Sequence, residues 1–390
     1  MEIDRRKLIR KKLSSIAKSM KEQSIDGWLI FTREGSPDPI AKEFGMGACT
    51  WRSAAVLTQD DEVYAVVGNL DSRMVSRSGL YDEVNGYGSE GPVELLTKLA
   101  KKKHLKRVAV DESQDFGLAD GLSSGMKKYL RKHVGYIESL VSAEDLIIEL
   151  RGRLFPEEVS KVEKAVKLTE EILDESQKKA IKEGVKDKEI FEFLQRATRE
   201  RGASFSWDEK MNPCVTVGTI EPQHSSYDNV TLRKGKMMKI DFGIKFDGYC
   251  SDIQRMYFCG SVPKKLGDDF SIAKQANDAA IHALTPSAKG YEVDEAARNF
   301  VLQNGFKNFI HALGHTVGQT AHEIGPLLAP RWRNRYGRAM EKLIGRNIVF
   351  AIEPTVYSKF GGINLEQDVL VSKDGSVREL STRQEEVISV

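Results

Sequence analysis

Four carboxylates in the C-terminal half of the chain stand beside apolar runs that are typical of strands; they are Asp241, Asp252, Glu353 and Glu366. A carboxylate next to an apolar core is costly unless it is neutralised, paired or given a metal ion. His315 lies between the two acidic pairs in the sequence. Four carboxylates and one imidazole favour a pair of Mn, Co, Fe or Zn ions over a lone structural zinc. The residue types therefore predict a two-metal hydrolytic site.

The first acidic pair is predicted to lie on a β-hairpin. Apolar residues lead into Asp241, and Asp247-Gly248 is a strong signal for a two-residue hairpin turn. Folding the chain about this turn brings Asp241 and Asp252 within about two residues of direct opposition. Both side chains can then point at one site.

The second acidic pair repeats this design. Residues 348–352 form an apolar run that leads into Glu353, Gly361-Gly362 is predicted to turn the chain, and Glu366 lies on the return strand. Two hairpins with paired acids predict a pseudo-twofold domain, with a shared metal cluster between its halves.

Histidines occur in two segments near these acids. His311 and His315 have the spacing of a zincin helix, but Ala312 stands where the catalytic glutamate would be, and Gly314 weakens a helix there. His315 with His322 is the more useful pair, because the glycine-rich residues 314–318 bring backbone close to the site. His224, in the segment 221–226, shows nothing distinctive by itself.

The elements that must position these residues fall into two sets. Residues 4–24 and strand-like runs at 27–31, 54–57, 63–67 and 107–110, with helical stretches near 92–103 and 123–132, predict an alternating α/β domain. An amphipathic helix over 156–183 opens the second half, so the boundary falls near 145–155. Helices at 187–201, 265–284 and 291–304, mixed with the acidic strands, predict an α+β domain.

Composition indicates an ordinary enzyme. The chain has 390 residues, 40% hydrophobic content and a net charge of +2, so no strong field favours nucleic acid. No apolar stretch reaches the roughly 20 residues of a membrane span, and the charged N-terminus lacks a signal-peptide core. The four cysteines form no C-x-x-C pair and predict neither disulfides nor a zinc finger. We expect a cytoplasmic enzyme that binds no membrane.

Two further motifs in the first half favour structural interpretations. Residues 86–91 fit the dinucleotide-binding pattern, with Asp111 downstream, but residues 81–85 are too polar for a buried parallel strand. We predict a glycine turn before a helix that starts at Pro92. Residues 121–125 match the nucleophile-elbow string around Ser123, but no strand runs into that turn.

Together the C-terminal motifs resemble those of the pita-bread metallopeptidases, the family of aminopeptidase P, prolidase and methionine aminopeptidase. Residues 238–257 resemble its D-F-G…G-Y-x-S-D-x-x-R signature, residues 314–323 its G-H-x-x-G…H-E signature, and residues 351–357 its x-I-E-P signature. The first half is similar to the N-terminal domain of the prolidase, aminopeptidase P and creatinase branch. The resemblance implies an α/β N-terminal domain over residues 1–150, a pita-bread catalytic domain over residues 151–390, and a homodimer.

The resemblance also implies roles for individual residues. It implies two divalent ions, Mn or Co before Zn or Fe, and a set of five metal ligands: Asp241, Asp252, His315, Glu353 and Glu366. His224 and His322 are expected to contact the substrate and the developing tetrahedral intermediate, and Glu353 to carry the proton from water to the leaving nitrogen. The expected substrate is a short peptide that is cleaved before proline.

The last motif departs from the family pattern G-x-R-x-E-D. Asn364 stands in place of the family arginine, and Gln367 follows the ligand, with Asp368 one place further on. These changes weaken the inference of proline specificity. As a hypothesis, Arg331 and Arg333, in an arginine-rich and aromatic segment, supply the lost substrate contacts.

Several alternatives stay open at this point. They are a metal-free hydrolase similar to creatinase, a non-catalytic peptide-binding module of the same fold, and a metal-dependent enzyme that cleaves a non-prolyl amide. The retained ligand set argues against the first two, and Asn364 keeps the third open. The choice between dipeptidase and aminopeptidase action depends on whether a basic group meets a free carboxylate just beyond the second residue of the substrate.

Overall fold

A computed structural model describes residues 5–218 and 226–390 of the chain. Its internal contacts divide the chain into two compact units, Met1–Leu150 and Arg151–Val390. Within the described ranges, we find no helix that combines the length and the apolar character needed to cross a bilayer.

The N-terminal unit is built on one mixed sheet. Its strands are β1 (Gly27–Thr32), β2 (Ser53–Thr58), β3 (Val63–Gly68), β4 (Glu83–Tyr87), β5 (Arg107–Val110) and β6 (Ser139–Ser142). Its helices are α1 (Arg5–Glu22), α2 (Asn69–Arg77), α3 (Val93–Lys102), α4 (Ser124–His133) and the single turn α5 (Glu144–Ile147). The strand order is β4-β3-β2-β1-β5-β6. Apolar residues of α3 and α4 pack on β1, β2 and β5 in one core.

The polar segment before the glycine-rich motif forms a strand, but not the buried parallel strand that the dinucleotide-binding motif requires. Strand β4 pairs in parallel with β3, from Tyr64 opposite Glu83 to Gly68 opposite Tyr87. It lies at the sheet edge and is mostly solvent-accessible, which explains why its residues are polar. A strand at an edge needs no second buried face, whereas a central parallel strand does.

The serine of the elbow-like string caps a helix. The Ser123 hydroxyl accepts a hydrogen bond from the backbone N–H of Met126 at 3.3 Å, at the start of α4. A short 3₁₀ turn, Gly117–Ala119, precedes this segment in place of a strand. Gly121 is required sterically, because a Cβ there would lie 2.2 Å from Oδ2 of Asp38.

Asp38 and Asp111 form a buried carboxyl pair in the same unit. Trp28 Nε1 donates to Asp111 Oδ1 at 2.7 Å, and the buried Oδ2 atoms of Asp38 and Asp111 accept no hydrogen bond from a described donor. Burial raises the pKa of Asp38 to about 6. Burial, followed by the charge of Asp38, raises the pKa of Asp111. We infer that the two carboxyls share one proton at neutral pH.

Substituting Asn for Asp38 is therefore expected to stabilise the protein at pH 8. A carboxyl whose pKa is raised on folding contributes its stability below its unfolded pKa and loses it as the pH rises through the folded value. Relative to wild type, Asp38→Asn should gain about 1–3 kcal/mol of unfolding free energy between pH 5 and pH 8. Denaturant unfolding of the full chain at both pH values measures this gain. Asp60→Asn is the control, because the Asp60 side chain is 74% exposed. An equal pH dependence of the unfolding free energy in both variants would contradict the shared proton.

The C-terminal unit contains four long helices and thirteen strands in its described part. The helices are α6 (Pro156–Lys179), α7 (Asp187–Glu200), α8 (Lys264–Ala283), α9 (Gly290–Gln303) and the short α10 (Arg333–Tyr336). The strands are β7 (Ser204–Phe205), β8 (Cys214–Val217), β9 (Met237–Phe242), β10 (Ile244–Phe246), β11 (Tyr249–Cys250), β12 (Ile253–Phe258), β13 (Gly314–Val317), β14 (Ile348–Ile352), β15 (Thr355–Ser358), β16 (Gly361–Asn364), β17 (Gln367–Val371), β18 (Val377–Glu379) and β19 (Ile388–Ser389).

Two similar halves make up this unit, as the repeated hairpins predicted. The sheet β19-β12-β9-β8 and the sheet β13-β14-β17-β18 each contain one acidic strand pair. One buried core joins α6 and α7 to strands of the first sheet, and another joins α8 and α9 mainly to strands of the second. The result is an α+β unit with a helix pair packed against each half.

Helix α6 ends earlier than the sequence predicted. It begins at Pro156, where the Glu158 carboxylate accepts the Phe155 N–H at 2.8 Å, and it ends at Lys179 rather than near 183. The Ser176 carbonyl accepts the N–H groups of both Ala180 and Ile181 and closes the last turn. Gly184, the residue after the predicted helix, lies beyond the observed helix end and has a φ of +91°.

The first acidic hairpin has the predicted register. Asp247 and Gly248 have φ values of 50° and 85°, so they form the turn between β10 and β11. Further along the same hairpin, Asp241 on β9 lies opposite Gln254 on β12. Asp252 is therefore two residues from direct opposition to Asp241, and the prediction is confirmed.

The second hairpin turns at a different place than predicted. Ser358 pairs with Gly361, so the two-residue turn is Lys359-Phe360, and Gly361-Gly362 begin the return strand. Lys359 and Phe360 are weaker sequence indicators of a turn than a glycine pair, which explains why the turn was predicted at the wrong place. The ladder then continues in one register to Ile352 opposite Gln367, which places Glu353 and Glu366 opposite each other.

Candidate metal centre

The acidic hairpins and the strand that carries His315 meet at one cavity. Asp241 follows the buried start of β9, Glu353 directly follows β14, and His315 lies on β13 opposite Ala351. The cavity has a volume of about 200 Å³. Its lining consists of Trp207, Met211, Cys214, Asp241, Asp252, His315, His322, Glu353 and Glu366. All five residues predicted as metal ligands are in this set.

Three of these residues are close enough to share one ion. Single ligand atoms of Asp252, His315 and Glu366 all lie within 4.8 Å of one another. His315 Nε2 is 3.6 Å from Asp252 Oδ2 and 3.9 Å from Glu353 Oε1. Asp252, His315 and Glu366 are each at most 7% exposed as whole residues.

His315 has the protonation state of a metal ligand. Its Nδ1 lies 3.1 Å from the Ala321 carbonyl oxygen, to which only a protonated Nδ1 can donate. The lone pair of a neutral ring is then on Nε2, which faces the carboxylates. Burial, followed by the influence of His322, lowers the pKa of His315 to about 3, so the ring is neutral at physiological pH. A backbone carbonyl that orients a ligand histidine in this way is typical of metal sites.

The clustered carboxylates raise one another's pKa. Burial, and then the charge of Asp241, raise the pKa of Glu353 to about 8. Burial is also the main cause of the raised pKa of Asp252 and of Glu366, with smaller contributions from neighbouring acids in both cases. Without cations, these acids cannot all be ionised near neutral pH.

The residues present fit a pair of divalent cations. Glu366 Oε2 is buried and accepts no hydrogen bond from any described residue, which leaves an acceptor that suits a bound cation. Four carboxylates and one neutral imidazole would hold the ions, and hard oxygen donors of this kind suit divalent cations. The cations would also relieve the repulsion among the carboxylates.

Asp368 is an additional buried acid that the sequence analysis did not assign to the site. Its Oδ2 accepts the backbone N–H of Asp252 at 3.0 Å, and burial raises its pKa to about 8. The hydrogen bond fixes the backbone that carries a predicted ligand. The departure from the family motif at Gln367-Asp368 was the available signal.

A buried ion pair holds the loop that carries His322. Glu323 Oε2 accepts from Arg151 Nη2 at 2.6 Å and from the Gln319 N–H at 3.1 Å, while Oε1 accepts from the Ile324 N–H at 3.0 Å. Both charged side chains are 0% exposed. The ring of His322 packs edge-on against His315, with a centroid distance of 4.2 Å. Sequence reasoning missed Arg151, because it is separated from Glu323 by more than 170 residues.

Other predicted residues lie elsewhere. His224 lies outside the described residues. Arg331 donates to Glu295 at 3.1 Å and Arg333 to Glu341 at 2.9 Å, and neither arginine lines the cavity that the described residues form. The structure therefore does not bring these two arginines to the site.

Asn364 and His311 belong to a hydrogen-bonded group next to the ligands. Asn364 Nδ2 donates to Thr355 Oγ1 at 2.5 Å, and the same hydroxyl lies 2.7 Å from His311 Nε2. His311 precedes β13 and is not helical, which agrees with the rejection of a zincin helix. Lys239 Nζ lies 3.4 Å from Asn364 Oδ1.

Trp207, Met211 and Cys214 line the cavity but were not predicted as site residues. Cys214 lies on β8 directly opposite Asp241, and the Trp207 indole N–H donates to the Met211 carbonyl at 3.1 Å. These apolar and thiol side chains form no sequence pattern that indicates a site. Cys214 could have been assigned to the site only once the pairing of β8 with the ligand strand β9 was known.

Comparisons with known proteins identify the fold and the family of this chain. The chain is 25% identical over 383 residues to the Xaa-Pro dipeptidase of Pyrococcus furiosus, covering 97% of this chain and 99% of the relative. The Xaa-Pro dipeptidase structure from Bacillus anthracis superposes with a TM-score of 0.76 at 20% identity, covering 98% and 100%. The X-Pro aminopeptidase structure from Thermotoga maritima gives 0.72 at 22% identity, covering 97% and 99%. These two likenesses show the pita-bread fold. The model of metallopeptidase family M24 matches residues 160–373, more than half of the chain, and the chain therefore belongs to this family.

Proposed function

We propose that this chain is a two-metal peptidase that cleaves the bond before proline in dipeptides or short peptides. Membership of a metallopeptidase family implies divalent metal ions. The relative from Pyrococcus furiosus, which aligns over nearly the whole length, is named an Xaa-Pro dipeptidase, and this supports the prolyl substrate. We further propose Mn or Co as the native ions, because the ligand set is rich in carboxylate oxygens.

The convergence of the five predicted ligands on one cavity is the observation that carries this proposal. Asp252, His315 and Glu366 present donor atoms within 4.8 Å of one another, and Asp241 and Glu353 line the same space. The protein holds like charges together there at an energetic cost. A non-catalytic binding module has no reason to retain this arrangement.

The chemistry that two bound divalent cations supply is Lewis acidity, which acidifies a water and polarises the scissile carbonyl. The chain's own groups orient the substrate and move protons. In an Xaa-Pro bond the leaving nitrogen belongs to the proline ring, and it must gain a proton to depart as a secondary amine. Glu353, whose Oε1 is 3.9 Å from His315 Nε2, is the carboxylate placed to carry that proton.

His322 is placed to stabilise the negative charge that develops on the carbonyl oxygen. It lines the cavity, and the loop that carries it is held by the Arg151–Glu323 pair. An imidazole N–H aimed at an oxyanion is often worth about 3 kcal/mol. We propose the same oxyanion contact for His224 on the basis of the sequence motif.

A peptide panel with added divalent ions tests the proposed function. We expect Mn- or Co-dependent cleavage of Ala-Pro and of longer Ala-Pro peptides, with Ala-Ala and Ala-Ala-Ala cleaved at least about 100-fold more slowly. The rate of alanine release, monitored by chromatography, gives the rate of cleavage for each peptide. Comparable cleavage of the non-prolyl amides would favour the broader amidase. No cleavage of any peptide under metal-loaded conditions would favour a binding module.

A homodimer and a cytoplasmic location complete the proposal. The resemblance to the prolidase branch supports the dimer, and the four cysteines, which are buried and form no disulfide, support a reducing compartment. Light scattering of the purified chain tests the dimer directly. A mass of one chain at micromolar concentration would contradict it.

A further inference from the structure

Lys239 is a buried lysine next to the ligands, and the proposed mechanism does not use it. It is 8% exposed, and the only hydrogen bond that its ammonium donates to a described residue, to Asn364 Oδ1, is long at 3.4 Å. Among residues 5–218 and 226–390, no carboxylate lies within ion-pair distance of it. An ammonium has three N–H donors, and burying it without an anion is costly. An anionic group of a substrate that reaches this ammonium would therefore be bound favourably.

A hydrogen-bonded chain fixes the direction in which Asn364 faces Lys239. His311 Nδ1 lies 2.6 Å from the Ala312 carbonyl oxygen and must donate to it, so Nε2 accepts from the Thr355 hydroxyl at 2.7 Å. The Thr355 oxygen accepts from Asn364 Nδ2, which turns Asn364 Oδ1 towards Lys239. Burial lowers the pKa of His311 to about 4, which is consistent with a neutral ring. Asn364 thus positions the ammonium without neutralising it.

This polar group forms a second layer beside the ligand layer. Three of its members lie two residues from a predicted ligand, on the same face of the same strand pairs: Lys239 from Asp241, Thr355 from Glu353 and Asn364 from Glu366. Two residues along a strand span about 6.4–6.8 Å. The backbone of this group is therefore offset from the backbone of the predicted ligands by about the same distance.

The charge of Lys239 acts on groups at the cavity. Burial is the main cause of the raised pKa of Glu353 and of the lowered pKa of His311, and the charge of Lys239 opposes the first shift and adds to the second. Lys239 does not line the cavity itself, so an anion must extend beyond the residues that line it to reach the ammonium.

The C-terminal carboxylate of a dipeptide has the required reach. Its carbon lies at most about 3.6 Å beyond the scissile carbonyl carbon. A charge-assisted N–H···O hydrogen bond adds about 2.8 Å. The total of about 6.4 Å is similar to the backbone offset of two strand residues between Lys239 and Asp241. In a tripeptide, the carboxylate would lie about one residue, or 3.6 Å, too far.

On the basis of the proposed function, we propose that Lys239, oriented by Asn364, receives the free C-terminal carboxylate of the substrate and makes this chain a dipeptidase. The cation comes from β9, whereas the family motif places its arginine at position 364. The asparagine that stands at position 364 in place of the family arginine then has an explanation, because Lys239 supplies the cation. The role of the lysine is to bind and position the substrate and does not include proton transfer.

The test compares substrates with and without the carboxylate. Wild type should cleave Ala-Pro about 10- to 100-fold more efficiently than Ala-Pro amide or Ala-Pro-Ala, because hydrogen bonds to charged groups are worth about 1.5–3 kcal/mol. Lys239→Met should cleave Ala-Pro less efficiently by that same factor, mainly through a higher KM. Its efficiency on Ala-Pro amide should change far less. Lys239→Arg should retain the preference. Lys239→Met combined with Asn364→Arg should restore it.

Two controls distinguish a failure of this proposal from a failure of the proposed function. Lys245→Met removes another lysine of the same hairpin, whose Nζ donates to the Gln319 carbonyl at 2.6 Å, and should leave the carboxylate preference intact. Calorimetry of L-proline and of L-prolinamide binding to the metal-loaded protein gives a readout without turnover. If wild type cleaves no peptide, the proposed function fails, and the loss of proline binding in Lys239→Met still decides the role of the lysine. Equal effects of Lys239→Met on acid and amide would overturn the proposal.

Discussion

Replacing Asp252 with Asn is expected to lower kcat/KM on the best Xaa-Pro substrate by about 1,000-fold or more. Asp252 is 5% exposed, and its Oδ2 lies 3.6 Å from His315 Nε2, where a shared ion would lie. Lewis-acid catalysis contributes several kcal/mol to the transition state, and each 1.36 kcal/mol corresponds to a factor of ten. A neutral amide is a poor ligand, so bound metal should fall in parallel. Steady-state kinetics and elemental analysis of the purified variant measure both quantities.

Asp247→Asn is the matched control for this substitution. Asp247 lies in the turn of the same hairpin, is exposed and has a φ of 50°, a conformation that asparagine tolerates well. We expect this variant to keep wild-type activity and metal content. Retention of near wild-type turnover by Asp252→Asn, or by wild type after exhaustive chelation, would refute the metal centre.

Replacing Arg151 with Met is expected to lower the free energy of unfolding by about 3–5 kcal/mol. The substitution leaves Glu323 buried at 0% exposure without the guanidinium that lies 2.6 Å from its Oε2. An unpaired buried charge costs more than the pair itself contributes. The loop with His322 should loosen as well, so kcat should fall even where the protein remains folded. Denaturant unfolding and kinetics at low temperature separate these two effects.

Arg333→Met provides the comparison for a surface ion pair. The Arg333 side chain is 69% exposed and pairs with Glu341, so its loss should cost at most about 1 kcal/mol. Because Arg333 does not line the cavity, KM should stay unchanged for every peptide. A stability loss in Arg151→Met as small as that in Arg333→Met would argue against the buried pair. A raised KM in Arg333→Met would revive the earlier hypothesis for that segment.

The hairpins show how far local sequence rules extend. The Asp247-Gly248 turn has a strong and specific signal, and the offset of Asp241 and Asp252 followed from counting residues around it. The same counting placed the second turn wrongly, since Gly361-Gly362 start a strand and Lys359-Phe360 make the turn. Glu353 and Glu366 still face each other, because they are positioned by the register of β14 and β17.

The polar strand β4 illustrates a different limit. Its residues fit an exposed edge and not a central position, and position within a sheet is a property of the whole domain. The burial of the N-terminal carboxyl pair is likewise a property of the whole domain. Asp38 and Asp111 are far apart in the sequence, and each resembles an ordinary loop acid until the fold buries both.

The sequence by itself determined the ligand-bearing motifs, the class of chemistry and most helices and strands of this protein. These properties depend on residue type, on short spacings and on hydrophobic periodicity, all of which act within one element or one hairpin. Only the tertiary structure decided the pairing of Arg151 with Glu323, the bond between Asp368 and the backbone of Asp252, and the position of Lys239 beside Asn364. Each of these contacts joins residues more than 100 positions apart. The residues next to a charged side chain in the sequence do not indicate which distant group will lie beside it in the folded interior.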